Sequence, residues 1–139
     1  MKVEINNLKE LEKFAFEFSK HLKGNETIGL KGPLGAGKTT FTKGIGKALK
    51  VKEEIISPTF NIVKVYDSIL GPLYHIDCYR LENLGYDPIL DDYLFDDKAI
   101  KVVEWYNFLE EDLFTDAIKI EIAVINDKRI LNIEGICLD

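Results

Sequence analysis

Arginine is scarce in this 139-residue chain: Arg80 and Arg129 are the only two, beside sixteen lysines and under a formal net charge of −6. A protein that grips RNA or DNA through phosphates usually presents a basic face. Direct, strong nucleic-acid binding by this chain alone is therefore not expected. Cysteine is equally scarce, and Cys78 and Cys137 stand too far apart to suggest a disulfide scaffold or a zinc site. No apolar run approaches the ~20 residues that a membrane span needs. The opening Met-Lys-Val-Glu-Ile-Asn-Asn is broken at once by acidic and polar residues, unlike a secretory signal. A cytoplasmic protein with no membrane contact is the expectation. Repeats, linkers and low-complexity tracts are missing too. What remains is an ordinary globular composition, 46% hydrophobic and 30% charged, which predicts one domain over 1–139.

Residues 32–39 read Gly-Pro-Leu-Gly-Ala-Gly-Lys-Thr, a complete GxxxxGK[ST] phosphate-binding loop. Each part of it has a physical task. Glycines let the backbone curl so that successive N–H groups point at phosphate oxygens. Lys38 reaches the β- and γ-phosphates, and the Thr39 hydroxyl is placed to hold Mg²⁺. A following helix aims its N-terminal N–H groups and positive dipole end at the same anion. With Gly at about 7% of ordinary usage, chance supplies this pattern in well under ~1% of chains this size. The context agrees: a β-rich run at 27–31 leads in, and 39–49 is compatible with a helix leading out. The segment predicts nucleoside triphosphate binding. Because such a loop is expected to be exposed, Lys38→Ala is expected to change folding little.

The rest of the chain reads as an α/β domain. Asn7 followed by Glu10 is a capping box, and Leu8, Leu11, Phe14 or Ala15, Phe18 and Leu22 recur at helical spacing until Gly24-Asn25. Ser57-Pro58-Thr59-Phe60 signals a loop. Residues 61–66 and 73–78 read as a strand pair turned by Gly71-Pro72. Residues 80–98 are partly helical, interrupted by Gly85 and Pro88. A short strand over 100–104 ends at Trp105. Ile118, Ile120, Ile122 and Val124 alternate with Lys119, Glu121 and Ala123, as in a half-buried strand. Asn126-Asp-Lys128 then turns the chain back into 129–134. The predicted fold is a three-layer α/β domain of the P-loop NTPase kind, with a mixed parallel and antiparallel sheet.

A triphosphate site also needs a carboxylate for Mg²⁺ or its waters and a group that positions the nucleophile. Asp77 lies near the end of the apolar strand Leu73-Tyr-His-Ile-Asp77, where a metal-organising carboxylate is expected. Glu104 ends the β-rich run Lys101-Val-Val-Glu104, and strand ends near such a loop are where ligands bind in open α/β sheets. Thr59 sits in a loop before a strand, as a γ-phosphate-sensing residue does, or as a plain turn residue. Trp105, the only tryptophan, stacks on a base or a partner surface, or packs in the core. His75 shares a strand face with Asp77, and structural packing or hydrogen bonding is its simplest role. The acidic residues Asp87, Asp91, Asp92, Asp96 and Asp97 read as a solvated face, with partner docking as the minor alternative.

Two absences narrow the class. There is no Asn-Lys-x-Asp element of guanine-specific GTPases, and Asp77 continues as Cys-Tyr-Arg, not as Asp-x-x-Gly. Nucleotide kinases surround the transferred phosphate with several arginines, which this chain does not provide. A small-molecule or nucleotide kinase and a non-hydrolysing nucleotide-dependent regulator remain as alternatives to an ATPase.

The ordered set Gly-Pro-Leu-Gly-Ala-Gly-Lys-Thr-Thr (32–40), Ser-Pro-Thr-Phe (57–60), His-Ile-Asp-Cys-Tyr-Arg (75–80) and Glu-Trp (104–105) resembles the TsaE (YjeE) family. The resemblance spans nearly the whole chain. It implies an ATPase of tRNA threonylcarbamoyladenosine biosynthesis that docks on the TsaD–TsaB transferase pair, lets that pair turn over, and meets tRNA only indirectly through adenosine 37. By position it implies phosphate binding by Lys38 and the backbone of Gly35, Ala36, Gly37, Thr39 and Thr40. It further implies Mg²⁺ held by Thr39 and Glu104, and Asp77 as a metal-organising or water-polarising carboxylate. Catalytic roles thus fall to Asp77, Glu104 and Lys38. Ser57 and Thr59 would belong to a switch loop, Trp105 would lie beside the nucleotide, and Asn7 and Arg129 would lie around its base. Pro33 stands where many members carry aspartate, at a position that contributes mainly backbone.

Overall fold

The computed structural model describes residues 1–58 and 62–138. Seven strands form one sheet: β1 (Lys2–Ile5), β2 (Thr27–Lys31), β3 (Val63–Ser68), β4 (Gly71–Asp77), β5 (Ile100–Glu104), β6 (Ile118–Ile125) and β7 (Lys128–Glu134). Their order across the sheet is β1-β7-β6-β2-β5-β4-β3. The four central strands, β6, β2, β5 and β4, run parallel. Antiparallel partners extend both sides, β7 and β1 on one and β3 on the other. This is the mixed sheet expected, and β5 shows why its sequence does not alternate: all five of its residues are buried, as in a strand covered on both faces.

Two helical layers supply that cover. Helix α1 (Leu8–Phe18) and helix α2 (Lys38–Ala48) pack on one face. There Leu11, Ala15 and Phe18 of α1 and Phe41 and Ile45 of α2 join Ile28, Leu30, Leu73, Ile100 and Val102 of the sheet. The helices approach closely at Gly44, where an added Cβ would lie 2.5 Å from the Glu12 carbonyl oxygen. On the opposite face, short helices α3 (Leu81–Leu84) and α4 (Leu90–Leu94) contribute Leu81, Leu90 and Leu94 over Ile76 and Val103. The three layers match the fold read from the sequence.

Three local details differ from that reading. Gly71 and Pro72 open β4 instead of forming the turn, which falls on Ile69-Leu70, and Gly71 takes a φ of 104°. Strand β1 was not expected: Val3 and Ile5 alternate with Lys2 and Glu4, but over only four residues, and the strand is defined by pairing with β7. Asn7 caps α1 as expected, and only the return bond of the capping box falls one residue early. Asn7 Oδ1 accepts from Glu10 N at 2.9 Å, while the Glu10 carboxylate accepts from Asn6 N at 3.0 Å. Among the described residues no helix is long and apolar enough to cross a membrane.

Candidate functional site

The loop between β2 and α2 opens where β2 ends, and the neighbouring strands β5 and β4 end beside it. Register makes the rest. Asp77 pairs with Glu104 across β4 and β5, and His75 pairs with Val102, so His75, Asp77 and Glu104 fall on the face that carries α2. A cavity of about 270 Å³ lies there, lined by Gly35, Gly37, Lys38, Thr39, Thr40, Ser57, Asp77, Glu104 and Trp105, together with Leu8 and Leu34.

Gly37 caps α2 with φ 115°, a left-handed conformation that favours glycine, and an added Cβ would sit 2.4 Å from Leu11 Cδ2. Lys38 then begins the helix. Its Nζ donates to the carbonyls of Gly32 at 2.7 Å and Pro33 at 2.9 Å, and lies 4.3 Å from the centre of the Trp105 ring. The expectation of an exposed loop holds for Pro33, Leu34 and Gly35 but not for Lys38, which is only 5% exposed. Its removal would leave two carbonyls without that donor, so Lys38→Ala also touches the fold. Burial lowers the Lys38 pKa from the ordinary lysine value, and the Glu104 and Asp77 carboxylates work against that shift.

Thr39 Oγ1 lies 3.3 Å from each oxygen of the buried Glu104 carboxylate and donates to it. His75, fully buried, bonds through Nε2 to Glu104 Oε2. Asp77 accepts from the Ser57 hydroxyl at 3.2 Å and from Tyr79 N at 3.0 Å. Burial pushes the Asp77 carboxyl above the ordinary range; the Tyr79 N–H opposes this and the nearby Glu104 charge adds to it. A raised carboxyl is a better proton acceptor at neutral pH than an ordinary one. No group of three or more His, Cys, Asp or Glu forms a metal cage among the described residues. Mg²⁺ does not need one, because it keeps waters and takes one or two carboxylates plus phosphate oxygens. The hydroxyl of Thr39 beside the Glu104 carboxylate fits that donor set.

Trp105 follows Glu104 with φ 60°, and its ring faces Lys38 Nζ. The ring stacks on Phe108 at 5.5 Å and 5°, and touches Tyr79 at 5.0 Å. It thus stands beside the lysine end of the loop. Arg129, on β7, does not line the cavity: its Nε donates to Ala36 O at 3.2 Å and its guanidinium to Gly35 O at 3.3 Å. Those bonds hold carbonyls on the outside of the loop. Asn7 and Ala36 also stay out of the lining, Asn7 as the cap of α1. Thr59 lies outside the described residues. Sequence reasoning missed Leu8 and Leu34 as lining residues and missed the bond from His75 to Glu104. The period-2 placement of His75 and Asp77 was its only hint. A larger cavity, about 670 Å³, opens among Lys23, Thr27, Ile118 and Gly135 at the other end of the sheet. There β2 and β6 begin, whereas ligands in open α/β sheets bind where parallel strands finish.

The family model described as threonylcarbamoyl adenosine biosynthesis protein TsaE matches residues 5–131. The chain belongs to the TsaE family. A TsaE from Bacillus subtilis is 42% identical over 105 residues, 76% of this chain and 66% of that protein. The TsaE of Aquifex aeolicus is 41% identical over 119 residues, covering 84% of this chain and 82% of the relative. The TsaE of Rickettsia prowazekii is 34% identical over 137 residues, 93% and 91% of the two chains. Among solved structures, the crystal structure of Bacillus subtilis YdiB superposes with a TM-score of 0.78 at 34% identity, covering 94% of this chain and 82% of that one. The TsaE match includes β2, the loop, α2 and the ends of β4 and β5, so every cavity-lining residue named above falls inside it.

Proposed function

We propose that this chain is a Mg²⁺-dependent ATPase that supports formation of N6-threonylcarbamoyladenosine in tRNA by acting on the TsaD–TsaB pair in the cytoplasm. The observation that carries the reading is the convergence of Lys38, Thr39, Asp77 and Glu104 on one cavity at the ends of β2, β4 and β5. The relatives' names supply the pathway. The backbone N–H groups of 35–40 and the start of α2 bind the phosphates, with Lys38 released from its carbonyl partners to neutralise their charge. Thr39 and Glu104 hold Mg²⁺, which when bound withdraws charge from the phosphate oxygens. Asp77 orients the attacking water and accepts its proton, a task its burial favours. Trp105 and Leu8 wall the site and exclude water from it.

Among the described residues no arginine lines the cavity. An arginine supplied to such a transition state contributes roughly 10³–10⁵ in rate, so the chain alone hydrolyses slowly and a partner raises the rate. The test is phosphate release by the purified chain at fixed Mg²⁺, with and without the TsaD–TsaB pair. Stimulation that disappears in Glu104→Ala, a variant that keeps the Lys38 contacts, is the expected result. A chain already fast alone and indifferent to the pair contradicts the partner-driven mechanism. Transfer of phosphate to a small acceptor faster than its release would instead indicate a kinase.

A further inference from the structure

His75 is a buried ionisable group in direct contact with the site whose surroundings the chemistry above does not use. Its side chain is wholly buried, so it cannot touch nucleotide or water in the cavity. Both of its ring nitrogens are informative. Nε2 bonds to Glu104 Oε2 from the neighbouring strand. Nδ1 is buried and has no hydrogen-bond partner among the described residues. A proton on Nδ1 would be a buried donor with nothing to accept it, whereas a bare lone pair there is the lesser loss. The pattern of partners therefore places the ring proton on Nε2, where the imidazole is a donor to the carboxylate. The donor is rigid as well, because its strand is held on both sides: His75 pairs with Lys64 of β3 and with Val102 of β5.

The Glu104 carboxylate meets two side chains, His75 at Oε2 and Thr39 at both oxygens. The carboxylate must stay turned toward Thr39 and the cavity, and unrestrained it would rotate between positions. We propose that His75 is a positioning residue for this ATPase: its Nε2–H fastens Glu104 Oε2 and so holds the whole carboxylate, both oxygens of which lie 3.3 Å from the Thr39 hydroxyl, where Mg²⁺ is held. The proposal rests on the metal role given to Thr39 and Glu104 above. Outer partners that orient metal-ligating groups cost about 10- to 100-fold in metal affinity when removed, and this arrangement belongs to that class. It also accounts for a buried histidine with one bonded nitrogen and one bare one, which core packing alone would fill more cheaply with an apolar side chain.

The experiment is calorimetric titration of the chain with ATP, once with Mg²⁺ and once with EDTA, on the wild type, His75→Leu, His75→Gln and His75→Asn. Far-UV circular dichroism checks folding of each. Glutamine places an amide N–H near the Nε2 position, and asparagine places one near Nδ1 instead. The expected result is that Mg²⁺ tightens ATP binding to the wild type and to His75→Gln. In His75→Leu and His75→Asn that tightening falls by about tenfold or more, while affinity in EDTA stays at the wild-type level. Should His75→Leu fail to fold, the contrast between the two amide variants makes the same decision. A His75→Leu or His75→Asn protein with the full wild-type Mg²⁺ effect overturns the positioning role, as does His75→Gln behaving like His75→Asn. A wild type that binds ATP equally with and without Mg²⁺ fails differently: it removes the metal role of Glu104, and the proposal falls with it.

Discussion

Tyr74 donates its phenolic proton to Asp96 Oδ2 at 2.6 Å, joining β4 to the end of the acidic segment. That bond, then the Lys98 N–H, holds the Asp96 carboxyl below the ordinary range, and the same bond pushes the Tyr74 hydroxyl up to about 12. The two shifts set a pH window. A carboxyl depressed in the fold stabilises fully above its unfolded value, about 3.9, and loses that contribution as pH falls through the folded value. A tyrosine raised in the fold stabilises fully below its unfolded value, about 10, and loses it as pH rises through about 12. The lead of the wild type over Tyr74→Phe in urea midpoint is therefore expected to be flat between roughly pH 5 and 9 and to shrink at both ends. A lead that grows in acid would contradict the bond. Nothing in the sequence pairs residues 74 and 96. The same holds for His75 and Glu104, which are brought together by the register of β4 on β5. Lys38 and Thr39 were legible because their loop is contiguous, and Asp77 and Glu104 because each closes an apolar strand run. Contacts made across strands leave no such mark.

At the scale of elements, α1 and α2 meet without room to spare, since a Cβ on Gly44 would lie 2.5 Å from Glu12 O and 2.6 Å from Ala15 Cβ. The Lys47–Glu12 ion pair at 3.0 Å borders the same seam. Alanine is the better helix former by up to about 1 kcal/mol, yet it must push a backbone carbonyl away, and overpacking of that kind costs typically 1–3 kcal/mol. Gly44→Ala is expected to lower unfolding stability by about 1–2 kcal/mol net, read as a reduced urea midpoint. An unchanged or raised midpoint would mean the seam yields freely. Because α2 carries Lys38 and Thr39 at its start, the same shift moves the phosphate loop, so nucleotide affinity should fall together with stability. The helices themselves were legible from Leu11, Ala15 and Phe18 at helical spacing and from the Asn7 cap. Strand β1 was not, because four alternating residues weigh little until β7 is there to pair with them.

Over the whole molecule, charge is unevenly laid out. Between residues 80 and 97 stand Glu82, Asp87, Asp91, Asp92, Asp96 and Asp97 against Arg80 alone, so that segment carries most of the net −6. It includes α3 and α4, which cover the sheet face opposite α1 and α2. A polyanion approaching that side meets repulsion, and the lysines elsewhere are partly engaged: Lys38 and Lys101 by backbone carbonyls, Lys128 by Glu4, Lys47 by Glu12. Even proteins built to hold nucleic acid nonspecifically do so with dissociation constants of about 10⁻⁴–10⁻⁶ M at physiological salt. This chain is expected to bind isolated tRNA more weakly than about 10⁻⁴ M under the same conditions, measured by fluorescence anisotropy of labelled tRNA. Salt titration makes the result diagnostic, because each phosphate neutralised steepens the dependence of log K on log salt by about 0.7 to 0.9. Tight binding with a steep slope would mean that lysines gather into a basic face in solution. It would also make direct contact with tRNA part of this chain's work, in place of action through a protein partner.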